Sequence, residues 1–163
     1  EVHESILAAQ MISRTFEGMG TTLTVILLVR EELLVGHVGD SQLHFLNDEE
    51  CLQITEDHSM VAELIRSGEI GPDEAKNHPQ RNMLTSALGA VPSYKVDFYR
   101  SKPQRGDYIL LCTDGLTAML KPKEALKTIS RSGDLEAAAD ELLKQANASG
   151  GLDNITFVLI RLD

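Results

Sequence analysis

No apolar run in this chain approaches the length that crosses a bilayer, so no membrane segment is expected. The opening residues Glu1 to Glu4 are polar and lack the charged-then-apolar pattern of a secretory leader. Cysteine is scarce: Cys51 and Cys112 are the only two, each inside an apolar, strand-like run. They read as small core residues rather than a disulfide or a metal pair. Nothing asks for an oxidising compartment, so a cytoplasmic location is expected. Basic residues are in deficit, 15 Lys and Arg against 25 Asp and Glu, for a net charge of −10. That excludes the basic clustering of a nucleic-acid surface. The histidines show neither His-x-x-x-His nor Cys/His metal spacing. Gly18-Met19-Gly20 lacks the Gly-Lys-Ser/Thr ending of a phosphate loop and opens a strand rather than a helix. No repeat or flexible linker divides the chain.

What is present suits one globular domain: 163 residues, 42% apolar and 25% charged, enough to bury a core. Val2, Ile6, Ala9, Ile12 and Phe16 recur at spacings of three and four. They predict an amphipathic helix over Val2–Phe16 with a buried stripe, ended by Gly18 and Gly20. Short β-branched and aliphatic runs predict strands at 21–29, 33–38, 42–46 and 51–54, with turns at Arg30–Glu32 and Asn47–Glu50. Ser59 reads as the N-cap of a helix that Gly68 stops. Residues 69–81 form a polar excursion with one short helix beginning near Pro72. Extended structure is expected at 82–88, an edge strand at 95–100 and a buried strand at 108–112. Helices follow at 121–130 and 135–148, then a strand at 154–162. The fold class is therefore α+β, with antiparallel strands and late helices on a sheet face.

Three aspartates occupy alike places. Asp40 follows a strand in Val38-Gly39-Asp40-Ser41, Asp114 follows one in Thr113-Asp114-Gly115, and Asp153 precedes the last in Gly151-Leu152-Asp153-Asn154. Asp-Gly is a common tight-turn pair, and for any one of them the turn reading stands. Three carboxylates at strand ends also suit a hard cation such as Mg²⁺ or Mn²⁺, which prefers oxygen donors. The residues alone leave the two readings even. Ser41 has no histidine in a supporting pattern, so a serine nucleophile is a weak option.

The ordered series is more specific. Gly18-Met19-Gly20-Thr21-Thr22-Leu23 is followed by Gly39-Asp40-Ser41 and Thr55-Glu56-Asp57-His58-Ser59. Then come His78-Pro79, Arg81-Asn82, Leu84-Thr85, Ala87-Leu88-Gly89, Gly106-Asp107-Tyr108, Thr113-Asp114-Gly115-Leu116-Thr117 and Asp153-Asn154-Ile155-Thr156. From about residue 18 onward this resembles the bacterial branch of the type 2C metal-dependent serine/threonine protein phosphatases. The resemblance implies an αββα sandwich of two antiparallel sheets flanked by helices, with residues 1–163 as the C-terminal two-thirds of one such domain. It implies hydrolysis of phosphoserine and phosphothreonine in proteins by a metal-activated water at a Mn²⁺ or Mg²⁺ two-metal centre. Asp114 and Asp153 are the expected ligands of one metal, and Asp40, with Asp114, of a weaker third. Residues 60–81 are the expected flap beside the site. Expected partners are phosphorylated proteins, a cognate Ser/Thr kinase and its substrates, and no nucleic acid; the expected state is a monomer.

The chain departs from the pattern in places. Gln42 stands where the family usually has arginine after Gly-Asp-Ser, and Ser86 where arginine often precedes Ala-Leu-Gly. The Arg-x-x-Asn-Glu-Asp and Asp-Gly-Met-Gly-Gly-His motifs are absent, and with them further metal ligands and a phosphate-gripping arginine. The N-terminal part of the domain is thus expected to be missing, and this chain alone to be incomplete as a catalyst. The alternatives are a non-catalytic phosphatase-like binding module and a half-domain completed by another segment. His58 is read as an ordinary histidine, with polar support near the flap as the second option.

Overall fold

Residues 1–47, 50–90 and 94–163 are described in the computed structural model. Strands β1 (Leu23–Val29), β2 (Glu32–Val38) and β5 (Asp97–Ser101) form one sheet, in the order β1-β2-β5. Strands β3 (Gln42–Leu46), β4 (Cys51–Gln53), β6 (Tyr108–Cys112) and β7 (Phe157–Arg161) form a second, in the order β4-β3-β6-β7. The chain leaves the first sheet and enters the second across Gly39-Asp40-Ser41. The turn expected over Asn47–Glu50 falls partly outside the described residues; at its base the Asn47 amide donates to the Glu50 carbonyl at 3.0 Å.

The helices are α1 (Val2–Ile12), α2 (Met60–Ser67), α3 (Pro72–Ala75), α4 (Asp114–Thr117), α5 (Pro122–Arg131) and α6 (Leu135–Ala148). Each has a local cause. Ser59 Oγ accepts from the Ala62 amide at 3.3 Å and starts α2, and Gly68 ends it at φ +77°, a conformation glycine takes without steric penalty. Pro122 sits in the first turn of α5, where its missing N–H is not needed. Asp134 Oδ1 accepts from the Ala137 amide at 2.8 Å and caps α6.

Two compact units are defined within the chain: 1–27, 35–40 and 56–99 in one, and 28–34, 41–55 and 100–163 in the other. The second has the clearer core. Leu110, Cys112 and Leu46 on the sheet pack with Leu116, Leu120, Ala125, Ile129, Ala138, Leu142 and Ala146 from α4, α5 and α6. Cys112 is buried there. In the first unit His37, Val35, Val38, Ala87 and Leu88 are buried.

Three expectations differ from what is observed. The helix over Val2–Phe16 stops at Ile12, where Ser13 turns extended at φ −148°, ψ 132°, before a 3-10 turn over Arg14–Phe16. Its apolar stripe is only partly buried: Ile6 and Ala9 are half-buried and Ile12 is 83% exposed, while His3 is buried and its Nδ1 accepts from the Gly89 amide at 3.0 Å. Residues 82–88 form no strand, only single antiparallel bridges Ser59–Leu84 and Thr21–Leu88. Third, the strand expected at 95–100 begins only at Asp97 and runs to Ser101. Phe98 is 81% exposed, while Asp97 and Tyr99 turn inward, because the Asp97 carboxylate is held by a buried histidine. Helix α4, starting directly at Asp114, was not foreseen by periodicity, being a single turn.

Candidate metal centre

In the second sheet β6 runs antiparallel to β7, with Cys112 opposite Phe157. The loop leaving β6 and the loop entering β7 therefore lie at the same sheet end. They are tied together. The Thr113 amide donates to the Thr156 carbonyl at 3.0 Å. Thr113 Oγ1 donates to the Asn154 carbonyl at 3.2 Å and accepts from the Thr156 amide at 3.2 Å. Gly115 completes the seam, since a Cβ there would stand 2.3 Å from the Asn154 carbonyl oxygen. Only glycine permits that approach.

These contacts fix where two of the predicted residues stand. Asp114 begins α4 and Asp153 directly precedes Asn154, both exposed. The Asp153 carboxylate also accepts from the Asn154 amide at 2.7 Å, which orients it. Sequence patterning singled out both aspartates but not Thr113, whose partners lie some forty positions away.

Asp40 belongs to the other unit. It is half-buried and follows Gly39, whose φ is +115° and whose Cβ, if present, would stand 2.3 Å from Thr22 Cγ2. Gly39 is held at both its backbone polar groups by His58. Its amide donates to His58 Nδ1 at 3.1 Å, and its carbonyl accepts from the His58 amide at 2.7 Å. His58 Nε2 lies 3.0 Å from Asp97 Oδ2. Asp97 also accepts from Lys95 Nζ at 2.8 Å and Tyr99 Oη at 3.4 Å. Burial pulls the Asp97 carboxyl up, but hydrogen bonds from His58 and Lys95, with their charge, hold it below the ordinary carboxylate range. The His37 ring stands 4.8 Å from that of His58, centroid to centroid. It accepts from Thr24 Oγ1 at 2.9 Å and donates to the Glu56 carbonyl at 3.1 Å. Burial first, and the neighbouring His58 second, depress its pKa. His58 is thus a core histidine, and both its ring and its backbone bond Gly39, beside Asp40.

The donor chemistry fits a hard divalent cation in part. Asp114 and Asp153 offer carboxylate oxygens on tethered, exposed loops, and a cation that keeps several waters needs only one or two such groups. Among the described residues no group of three His, Cys, Asp or Glu closes around a single point. The set is therefore a partial one.

An α+β fold of two antiparallel sheets flanked by helices, with carboxylates on tied loops at one sheet end, defines the class. The family model "Protein phosphatase 2C" matches residues 2–150, and the chain belongs to that family. The serine/threonine phosphatase stp of Listeria monocytogenes serovar 1/2a is 38% identical over 163 residues, all of this chain and 65% of that protein. Protein phosphatase PhpP of Streptococcus pneumoniae is 38% identical over 148 residues, 91% of this chain and 60% of that protein. The chain thus spans under two thirds of the length of these relatives. Among solved structures, the S. agalactiae serine/threonine phosphatase superposes with a TM-score of 0.95 at 32% identity, covering 99% of this chain and 66% of that one. The catalytic domain of the phosphatase PstP, solved with two manganese ions, gives a TM-score of 0.85 at 32% identity over 99% of this chain and 67% of that one. Asp153 lies beyond the family-model match but inside the match to the Listeria protein.

Proposed function

We propose that this chain is the C-terminal two-thirds of a Mn²⁺- or Mg²⁺-dependent protein phosphatase domain that hydrolyses phosphoserine and phosphothreonine in proteins. The observation that carries the reading is the seam between Thr113–Gly115 and Asn154–Thr156. It holds two carboxylates, distant in sequence, on neighbouring loops at one sheet end. Family membership and the two-manganese PstP structure support the choice of cation. Asp114 and Asp153 would hold one metal of the pair, and Asp40 a further, weaker one. Bound there, such cations supply an activated water and neutralise charge on the phosphoryl oxygens. The chain's own residues present the carboxylates, keep their loops from parting and leave them open to a bulky phosphoprotein. Segment 60–81, mostly polar and carrying α2 and α3, would be the flap that meets the substrate. Substrates of this chemistry are made by a serine/threonine kinase, which is the expected partner. A cytoplasmic monomer is the expected form.

The test is Mn²⁺-dependent hydrolysis of a phosphothreonine peptide by the whole protein. Asp114→Asn and Asp153→Asn should each lower kcat/KM by at least the ~100-fold that loss of an outer-shell partner can reach. The melting temperature should hold. Near-normal turnover in either variant sinks the ligand assignment.

A further inference from the structure

We infer that the buried His58, its ring oriented by the half-buried Asp97, is a positioning residue that holds the Gly39 peptide and through it sets the Asp40 carboxylate for metal. This rests on the reading of Asp40 as a metal ligand.

The hydrogen-bond donors settle the tautomer. The Gly39 amide can only donate, so His58 Nδ1, 3.1 Å away, must accept and carries no proton. The ring proton then sits on Nε2 and is donated to Asp97 Oδ2 at 3.0 Å. The ring is only 3% exposed, so no water competes for either bond. The peptide it holds needs holding. Gly39 has φ +115°, and Thr22 leaves no room for a side chain that would restrict it. A free glycine would sample many conformations, and Asp40 would swing with it. His58 removes that freedom by bonding both the N–H and the C=O of Gly39. Its own carbonyl is anchored by the Thr85 amide at 2.9 Å. Asp97 completes the device from β5. It turns inward, and Phe98 faces water instead. Any residue at 58 would supply the backbone bond to the Gly39 carbonyl; the histidine ring adds the bond to the Gly39 amide, beside a candidate ligand.

Two substitutions separate the ring's two ends. In His58→Asn, Oδ1 overlays the former Nδ1 and can still accept from Gly39, while the reach to Asp97 is lost. In His58→Gln, the amide overlays the former Nε2 end and keeps Asp97 but not Gly39. The protein is labelled with ¹⁵N and titrated with Mn²⁺ alone. The readouts are imidazole nitrogen shifts, amide exchange at Gly39, and paramagnetic broadening at Asp40, Asp114 and Asp153. The unaltered protein should show the Nε2–H tautomer and Mn²⁺ broadening at Asp40. His58→Gln should speed Gly39 exchange, and raise the Mn²⁺ needed to broaden Asp40, by on the order of tenfold. Broadening at Asp114 and Asp153 should stay, which also shows that the variant is folded. His58→Asn should restore both Asp40 readouts to within about twofold, well inside the tenfold shift of a lost hydrogen bond. Equal behaviour of the two variants, or an Asp40 response unchanged in His58→Gln, overturns the inference. Broadening of Asp114 and Asp153 but not Asp40 in the unaltered protein also overturns it, and leaves the phosphatase reading standing. Broadening at none of the three overturns both.

Discussion

His44 shows how a single buried side chain sets a pH response. It lies on β3 opposite Leu110, 2% exposed, with Nε2 donating to Gln42 Oε1 at 3.0 Å and Nδ1 without a hydrogen-bond partner. Burial depresses its pKa from 6.5 to about 4. Below pH 6.5 the unfolded chain takes up a proton that the folded one refuses, so stability should fall as pH drops from about 6.5 toward 4. The shift corresponds to about 3 kcal/mol at the lower limit. His37 is depressed in the same direction and should add to the slope. Urea unfolding of the His44→Leu variant at pH 7 and at pH 5 should show a smaller loss between the two than the unaltered protein. An unchanged slope would place the acid sensitivity elsewhere.

At the scale of elements, the seam joining the β6–α4 loop to the entry of β7 depends on one hydroxyl. Thr113→Val keeps the shape and the backbone bond to Thr156 but removes all the Oγ1 bonds, to the Asn154 and Thr156 carbonyls and from the Thr156 amide. The expected cost is about 1–3 kcal/mol from the groups left unpaired, read as a lower urea midpoint. Mn²⁺ affinity at Asp114 and Asp153 should weaken with it, because the loops are no longer held together. Full Mn²⁺ affinity in Thr113→Val would mean that the backbone bond alone suffices. Much of this level was legible beforehand. Periodicity and turn residues placed β3, β6 and α6, and the caps Ser59, Gly68 and Pro122 stand where their chemistry predicts. The places of Asp114 and Asp153 near strand ends were legible from the glycines beside them, while their assignment as ligands came from the family resemblance. Local pattern fails where a distant partner decides. The stripe of α1 looked like a core face, yet His3 and Gly89 determine which side of that helix packs. Alternation alone did not show which face of β5 turns inward, because the Asp97 carboxylate there is bonded by His58. Thr113 and Asp97 carry no local signal at all, since their meaning lies in residues far along the chain.

For the molecule as a whole, the outward face of β1 stands out. Leu23, Val25, Leu27 and Val29 are 44%, 51%, 57% and 45% exposed, on a strand at the edge of its sheet. An apolar edge strand invites pairing with other chains. This chain taken by itself should therefore associate as its concentration rises, despite its net charge of −10. Light scattering should detect this, and the Val25→Lys variant should lessen it. Concentration-independent scattering would show that the edge is not a sticking point. The seam at Gly115 and Asn154 bears on a different matter, the chain's tolerance of rearrangement. It closes a loop over 116–152 that holds α5, α6 and their connection at Ser132–Asp134. Because the loop is clasped at its neck, its far end can change length at little entropic cost. An inserted domain, or new termini after cutting at Gly133, would leave the two carboxylates where they are, and that connection is the place to splice a sensor into this scaffold.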